Sequence, residues 1–172
     1  MKAQLFRTQT CLILLLIPGA PIPRPAAQES VAQLQERFDQ ESNSGQKAKL
    51  LIRLGQAEFV ASRQAGEKGD YSTVDVLMEK YRDNVQVAFQ ALKKEHPNDS
   101  NFGAYRSMEI HLRKSLRELQ ETIITVPPEY VPPLQLVRKD LEEVQDQLLR
   151  QLFPKRPGEK SPSPPQKKPS SP

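Results

Sequence analysis

The chain has 172 residues, one cysteine, no tryptophan and a formal charge of +4 that sits at its two ends rather than in its middle. Residues 1–27 carry Lys2, Arg7 and Arg24 with no acid, and residues 154–172 carry Lys155, Arg156, Lys160, Lys167 and Lys168 against Glu159, which leaves residues 28–153 at −3. A nucleic-acid-binding domain would show its basic footprint on the folded part, with stacking aromatics beside it; this distribution excludes that class and leaves one small domain's worth of chain.

Met1 opens a short basic region, Cys11 to Ile17 is an unbroken apolar run, and Pro25, Ala26 and Ala27 supply small residues before Gln28. This layout predicts a secretory signal over 1–27, cleaved near Ala27. The apolar run is far short of the roughly 20 residues that span a bilayer. Cleavage removes Cys11, and with it every disulfide, thiolate ligand and thiol nucleophile. The expected location is therefore the periplasm, the envelope or the secreted fraction, with no integral membrane span in the mature chain.

From Ser30, the residues Val31, Leu34 and Phe38 recur at helical spacing and predict a first helix over 30–41, with a turn at Ser42 to Gly45. A second helix is predicted over 46–65, with Leu50, Leu54, Ala57, Ala61 and Ala65 as its stripe and Leu51, Phe59 and Val60 broadening it. Gly66 to Gly69 closes it and reverses the chain.

Asp70 to His96 carries the longest signal. Asp70 is a cap, Val74, Leu77, Met78, Tyr81, Val85, Ala88 and Leu92 form the stripe, Lys93 and Lys94 suit the C-terminal dipole, and Pro97 ends the helix. Val76, Val87 and Ala91 form a second apolar set, which predicts a helix packed on more than one side.

A fourth helix follows over 105–126 through Tyr105, Met108, Leu112, Leu116, Leu119, Ile123 and Val126, with Glu109–Arg113 and Arg117–Glu121 pairs expected on its wet side. Pro127, Pro128, Pro132 and Pro133 around Tyr130 read as a stiff, extended connector. Leu134, Val137, Leu141, Val144 and Leu148 then predict a fifth bundle helix, flanked by Arg138–Glu142, Lys139–Glu143 and Asp146–Arg150. Its heptad-like rhythm is too short for an independent coiled coil. Residues 154–172, almost wholly Pro, Lys, Ser, Gly and Gln, are expected to be disordered. The fold class is thus all-α: a small antiparallel bundle of about five helices over 28–153, with the 46–96 hairpin at its centre.

Reactive chemistry is thinly represented. His111 has Ser107, Met108, Lys114 and Ser115 at helical spacing, none of them a metal ligand partner, and His96 fits a helix C-terminus; no metal or cofactor is expected. Ser44 and Lys47 spell the Ser-x-x-Lys element that resembles the nucleophile motif of penicillin-recognising enzymes, but Lys-Thr-Gly and Ser-Asp-Asn do not accompany it, and Ser44 reads better as a cap. The remaining carboxylates fall beside basic partners, as on a solvated face. Asn98, Asp99 and Ser100 form a glycosylation sequon that is expected by chance alone.

Leu54, Gly55 and Phe59 followed by Gly69, Asp70 and Tyr71 resemble part of a tetratricopeptide repeat over about residues 50–81. That resemblance implies a helical hairpin, one without a second copy to stack on. The functional expectation is an exported, non-enzymatic interaction or structural module with an unknown protein partner. The alternatives are a tail that binds an anionic polymer or lipid surface through Lys155, Arg156, Lys160, Lys167 and Lys168, and a hydrolase using Ser44 and Lys47.

Overall fold

The structure, a computed structural model, describes residues 29–97 and 103–154. The segment predicted as a signal, Cys11, the sequon and the five cationic tail residues lie outside that range. Among the described residues there are five α-helices and no strand: α1 (Val31–Gln40), α2 (Ser44–Glu67), α3 (Tyr71–Glu95), α4 (Gly103–Thr125) and α5 (Val131–Leu152), with a 3₁₀ turn at Pro128–Tyr130. None of these helices is long and apolar enough to cross a membrane.

Helix ends follow local chemistry. The Ser30 hydroxyl accepts from the Gln33 N–H while the Gln33 side chain accepts from the Ser30 N–H, a reciprocal cap that starts α1. Between α2 and α3 the Asp70 N–H donates to the Ala65 carbonyl at 2.9 Å and the Gly69 N–H to the Gly66 carbonyl at 2.9 Å, closing α2. That closure requires a left-handed residue, supplied by Gly69 at φ +75°. Gly66, by contrast, stays helical within α2. Asp70 then accepts from the Thr73 N–H, so the residue that ends one helix begins the next.

α2, α3, α5 and α4 form a four-cornered bundle in which each helix packs on the next around the ring, and α1 lies against α2. Helices joined by short connections, α2–α3 and α4–α5, run antiparallel. The two hairpins sit side by side with α2 parallel to α4, as the Arg63–Glu118 pair and the Gly55–His111 approach show, and α3 parallel to α5, as Arg82–Asp140 and Tyr71–Tyr130 show. The core runs continuously from Phe38 and Leu51 through Met78, Tyr81 and Leu92 to Met108, Leu119, Leu134 and Leu141.

Several expectations are corrected. The turn after α1 ends at Asn43, whose side chain accepts from the Gln46 N–H, so Asn43 caps α2 and Ser44 and Gly45 are already helical. The Pro127–Pro133 segment is not extended: after Pro127 it tightens into the 3₁₀ turn, and Pro132 and Pro133 occupy the first turn of α5, where a missing N–H costs nothing. In α2, Ala57 and Ala61 are only half-buried, while Glu58 and Ser62 point inward. In α3, Val76 and Val87 are 54% and 50% exposed; α3 is covered on two sides through Asn84, Phe89 and the predicted stripe instead. Glu109 is buried, not on the wet side, and both of its carboxylate oxygens accept from Arg113 Nη2 at 2.7 Å. Arg138–Glu142 forms at 2.9 Å, whereas among the described residues Arg117–Glu121, Lys139–Glu143 and Asp146–Arg150 are not within ion-pair distance.

Candidate functional site

Ser44 and Lys47 are not brought together as a catalytic pair. The Ser44 hydroxyl is buried and donates to the Glu95 carboxylate at 2.6 Å, with the Ser44 N–H donating to the same oxygen at 3.2 Å, which ties the start of α2 to the end of α3. Those two bonds hold the Glu95 carboxyl below the usual range. The Lys47 ammonium sits 5.0 Å from the centre of the Phe38 ring, a cation–π contact that turns it toward α1. His96 caps the C-terminus of α3, and its carbonyl accepts from the Tyr105 hydroxyl at 3.0 Å. No group of three metal-ligating side chains occurs among the described residues.

Two features lie where α2 meets α4. The inner one is a buried polar cluster built on Gly55. A Cβ there would stand 2.6 Å from Tyr81 Cε2 and 2.7 Å from His111 Nε2, so only glycine lets the α2 backbone seat against both rings. Tyr81 reaches from α3 toward the opposite corner and meets His111 edge-on at 5.9 Å and Phe59 edge-on at 5.1 Å. One turn along α2, Glu58 is fully enclosed; its Oε1 accepts from Asn84 Nδ2 at 3.2 Å, and Asn84 in turn exchanges hydrogen bonds with Gln35 of α1.

Burial dominates the electrostatics of this cluster. It raises the Glu58 carboxyl to about 8, against smaller opposing effects from Lys80 and the Asn84 hydrogen bond. It lowers His111 to about 4, helped by Lys114. Burial also pushes the Tyr81 phenol well up, despite an opposing contact with Ser115. At neutral pH the side chains of this cluster are therefore predominantly uncharged. Glu58 Oε2, the Tyr81 hydroxyl and His111 Nε2 are buried without a well-formed hydrogen bond. Glu58 bears a proton and His111 is a neutral imidazole, but Glu58 bonds to Asn84 and His111 packs on Tyr81, and the closure of Glu58 denies it contact with a substrate.

The outer feature is a groove between α2 and α4. A cleft of about 500 Å³ is lined by Ile52, Gln56, Ser107, Ile110, His111, Arg113, Lys114 and Arg117. It continues into a smaller one of about 220 Å³, toward Phe59, Val60 and Arg63, with Gln56, His111 and Lys114 common to both. Ile110 is 59% exposed at its edge. No family model, curated protein or solved structure matches the chain. The groove and the cluster below it are thus described by their own chemistry alone: a cation-rimmed apolar furrow over a neutral polar interior.

The groove-lining residues were absent from the sequence-level candidates. Ile110 is the signal that marks them, a large apolar residue off the stripe Met108–Leu112–Leu119 with three basic residues in the next two turns. Glu58 carries a signal of its own, since it stands four residues from Leu54 and seven from Leu51.

Proposed function

We propose that the protein is an exported, non-enzymatic binding module that presents the α2/α4 groove to a protein partner. The supporting observation is the exposed Ile110, which shares a cleft with Ile52 and is flanked by Arg113, Lys114 and Arg117. An apolar anchor within a polar, cationic rim is the composition of a recognition surface rather than of a solvated helix face. Export is supported by the layout of residues 1–27.

Photo-crosslinking tests the reading directly. A photoreactive side chain at position 110, in the full chain expressed in its native cell, is expected to capture one reproducible protein from the envelope or secreted fraction, and the same side chain at Val87 is expected to miss it. Equal capture from both positions, or none from position 110, overturns the groove as the binding surface.

A further inference from the structure

We infer that the α2/α4 groove takes an acidic amphipathic helix of a partner protein, a statement that rests on the binding-module reading above and gives its partner a chemistry. The shape of the groove fits a helix. Parallel α2 and α4 leave a furrow whose lining runs from Ile52 to Arg63 on one wall and from Ser107 to Glu118 on the other. Eleven residues of rise make it about 17 Å long, the span of three helical turns. A helix laid there presents apolar residues at i, i+3 or i+4 and i+7 along one edge, the spacing that grooves of this kind read.

The charge of the groove fits an acidic partner. Of the five acids on α2 and α4, Glu58 and Glu109 are buried, Glu118 is held by Arg63 at 3.1 Å and faces Lys114 at 3.9 Å, and Glu67 and Glu121 line neither part of the groove. Arg117, in contrast, has no carboxylate within ion-pair distance among the described residues, although it lines the cleft beside Ile110. The rim therefore offers cationic charge that the chain itself does not neutralise, and carboxylates on either side of the partner's apolar edge complement it. The chain's own tail is basic and does not fit this rim. A bare polyanion would satisfy the cations but leave Ile52 and Ile110 uncovered.

Fluorescence anisotropy with the full chain tests this, using a labelled designed peptide that carries leucines on one helical edge and glutamates beside them. The comparison probes are the same peptide with lysines for glutamates, and a scrambled acidic peptide of identical composition. The acidic amphipathic probe is expected to bind and the other two to bind at least about tenfold more weakly, with affinity falling as salt is raised from about 50 to about 500 mM. Ile110→Asp and Arg117→Glu are each expected to weaken it about tenfold with circular dichroism unchanged, and Val87→Asp on the outer face of α3 to leave it unaltered.

Equal binding of the scrambled peptide shows a polyanion site, and equal binding of the lysine peptide shows an apolar one; either overturns the inference. So do groove variants that leave affinity unaltered, and so does concentration-dependent self-association that Ile110→Asp abolishes, which makes a second copy the occupant. Capture from position 110 combined with no binding of the acidic probe sinks this inference and leaves the binding-module reading standing. Failure of both removes both.

Discussion

The buried Glu58 and His111 predict a pH profile in which two large effects cancel. Glu58 titrates near 8 folded against 4.5 as a free side chain, so between those values the folded chain holds a proton that the unfolded chain has released. Stability from this group is fully present below pH 4.5 and is lost as pH rises through 8, at about 1.4 kcal/mol per pH unit and about 5 kcal/mol in total. His111 titrates near 4 folded against 6.5 unfolded. Its contribution has the opposite sign: it is complete above pH 6.5 and lost as pH falls through 4, about 3 kcal/mol in total. Between pH 4.5 and 6.5 the slopes offset one another, and above 6.5 only Glu58 still acts. The expected curve is a plateau followed by a drop of about 2 kcal/mol between pH 6.5 and 8.

Urea unfolding of the wild type, Glu58→Gln and His111→Gln at half-unit steps from pH 4 to 9 separates the two terms. Glu58→Gln keeps the shape of a protonated carboxyl and removes its titration. Its stability is expected to rise by about 3 kcal/mol from pH 4 to 6.5 and then stay flat. His111→Gln is expected to fall by about 5 kcal/mol from pH 4.5 to 8, with no plateau. The surface carboxylates are common to all three chains and drop out of the differences. A Glu58→Gln chain that still loses stability above pH 6.5 in step with the wild type would falsify the assignment of that drop to Glu58.

Gly55→Ala forces Tyr81 and His111 apart, because its methyl would stand 2.6 and 2.7 Å from their rings, and is expected to cost about 1 to 3 kcal/mol in urea unfolding. Tyr81→Phe deletes a buried hydroxyl without a well-formed hydrogen bond and is expected to leave stability level or raise it by up to about 1 kcal/mol by the same assay. Asn43→Ala removes the cap of α2 and is expected to cost about 1 kcal/mol, whereas Ser44→Ala is expected to move the Glu95 carboxyl back up toward its ordinary range, read by NMR titration. A chain ending at Phe153 is expected to bind the acidic helical probe as the full chain does; loss of binding would shift the recognition to Lys155, Arg156, Lys160, Lys167 and Lys168.

The five helices were legible because their signals are local. The Ser30 cap, the Gly69–Asp70 reversal and the Val74–Leu92 stripe each decide their own few residues whatever packs on them. Which helices become neighbours was not legible, because apolar stripes do not say that α4 packs on α2 and α5 and that α3 packs on α2 and α5. The proline segment misled for a related reason: four prolines forbid a helix interior, but two of them at the first turn of a helix forbid nothing. Val76 and Val87 looked like core because residue type was read ahead of direction, and Glu58 looked like surface by the same error in reverse.

Glu58 also bears on the groove. α2 and α4 carry basic residues at 47, 49, 53, 63, 106, 113, 114 and 117, and two of the acids interleaved with them, Glu58 and Glu109, turn inward instead of outward. Glu109 pairs from its buried position with the exposed guanidinium of Arg113, while Glu58 keeps its proton and forms no ion pair at pH 7. The outer face is accordingly more cationic than the −3 of residues 28–153 implies, because charge balance over a segment says nothing about which side of a helix each charge occupies. A carboxyl in the core and an apolar wall on the groove are then two consequences of one choice, the rotation of α2 that sets Gly55 against Tyr81 and His111, turns Glu58 inward and leaves Ile52 and Gln56 to the groove.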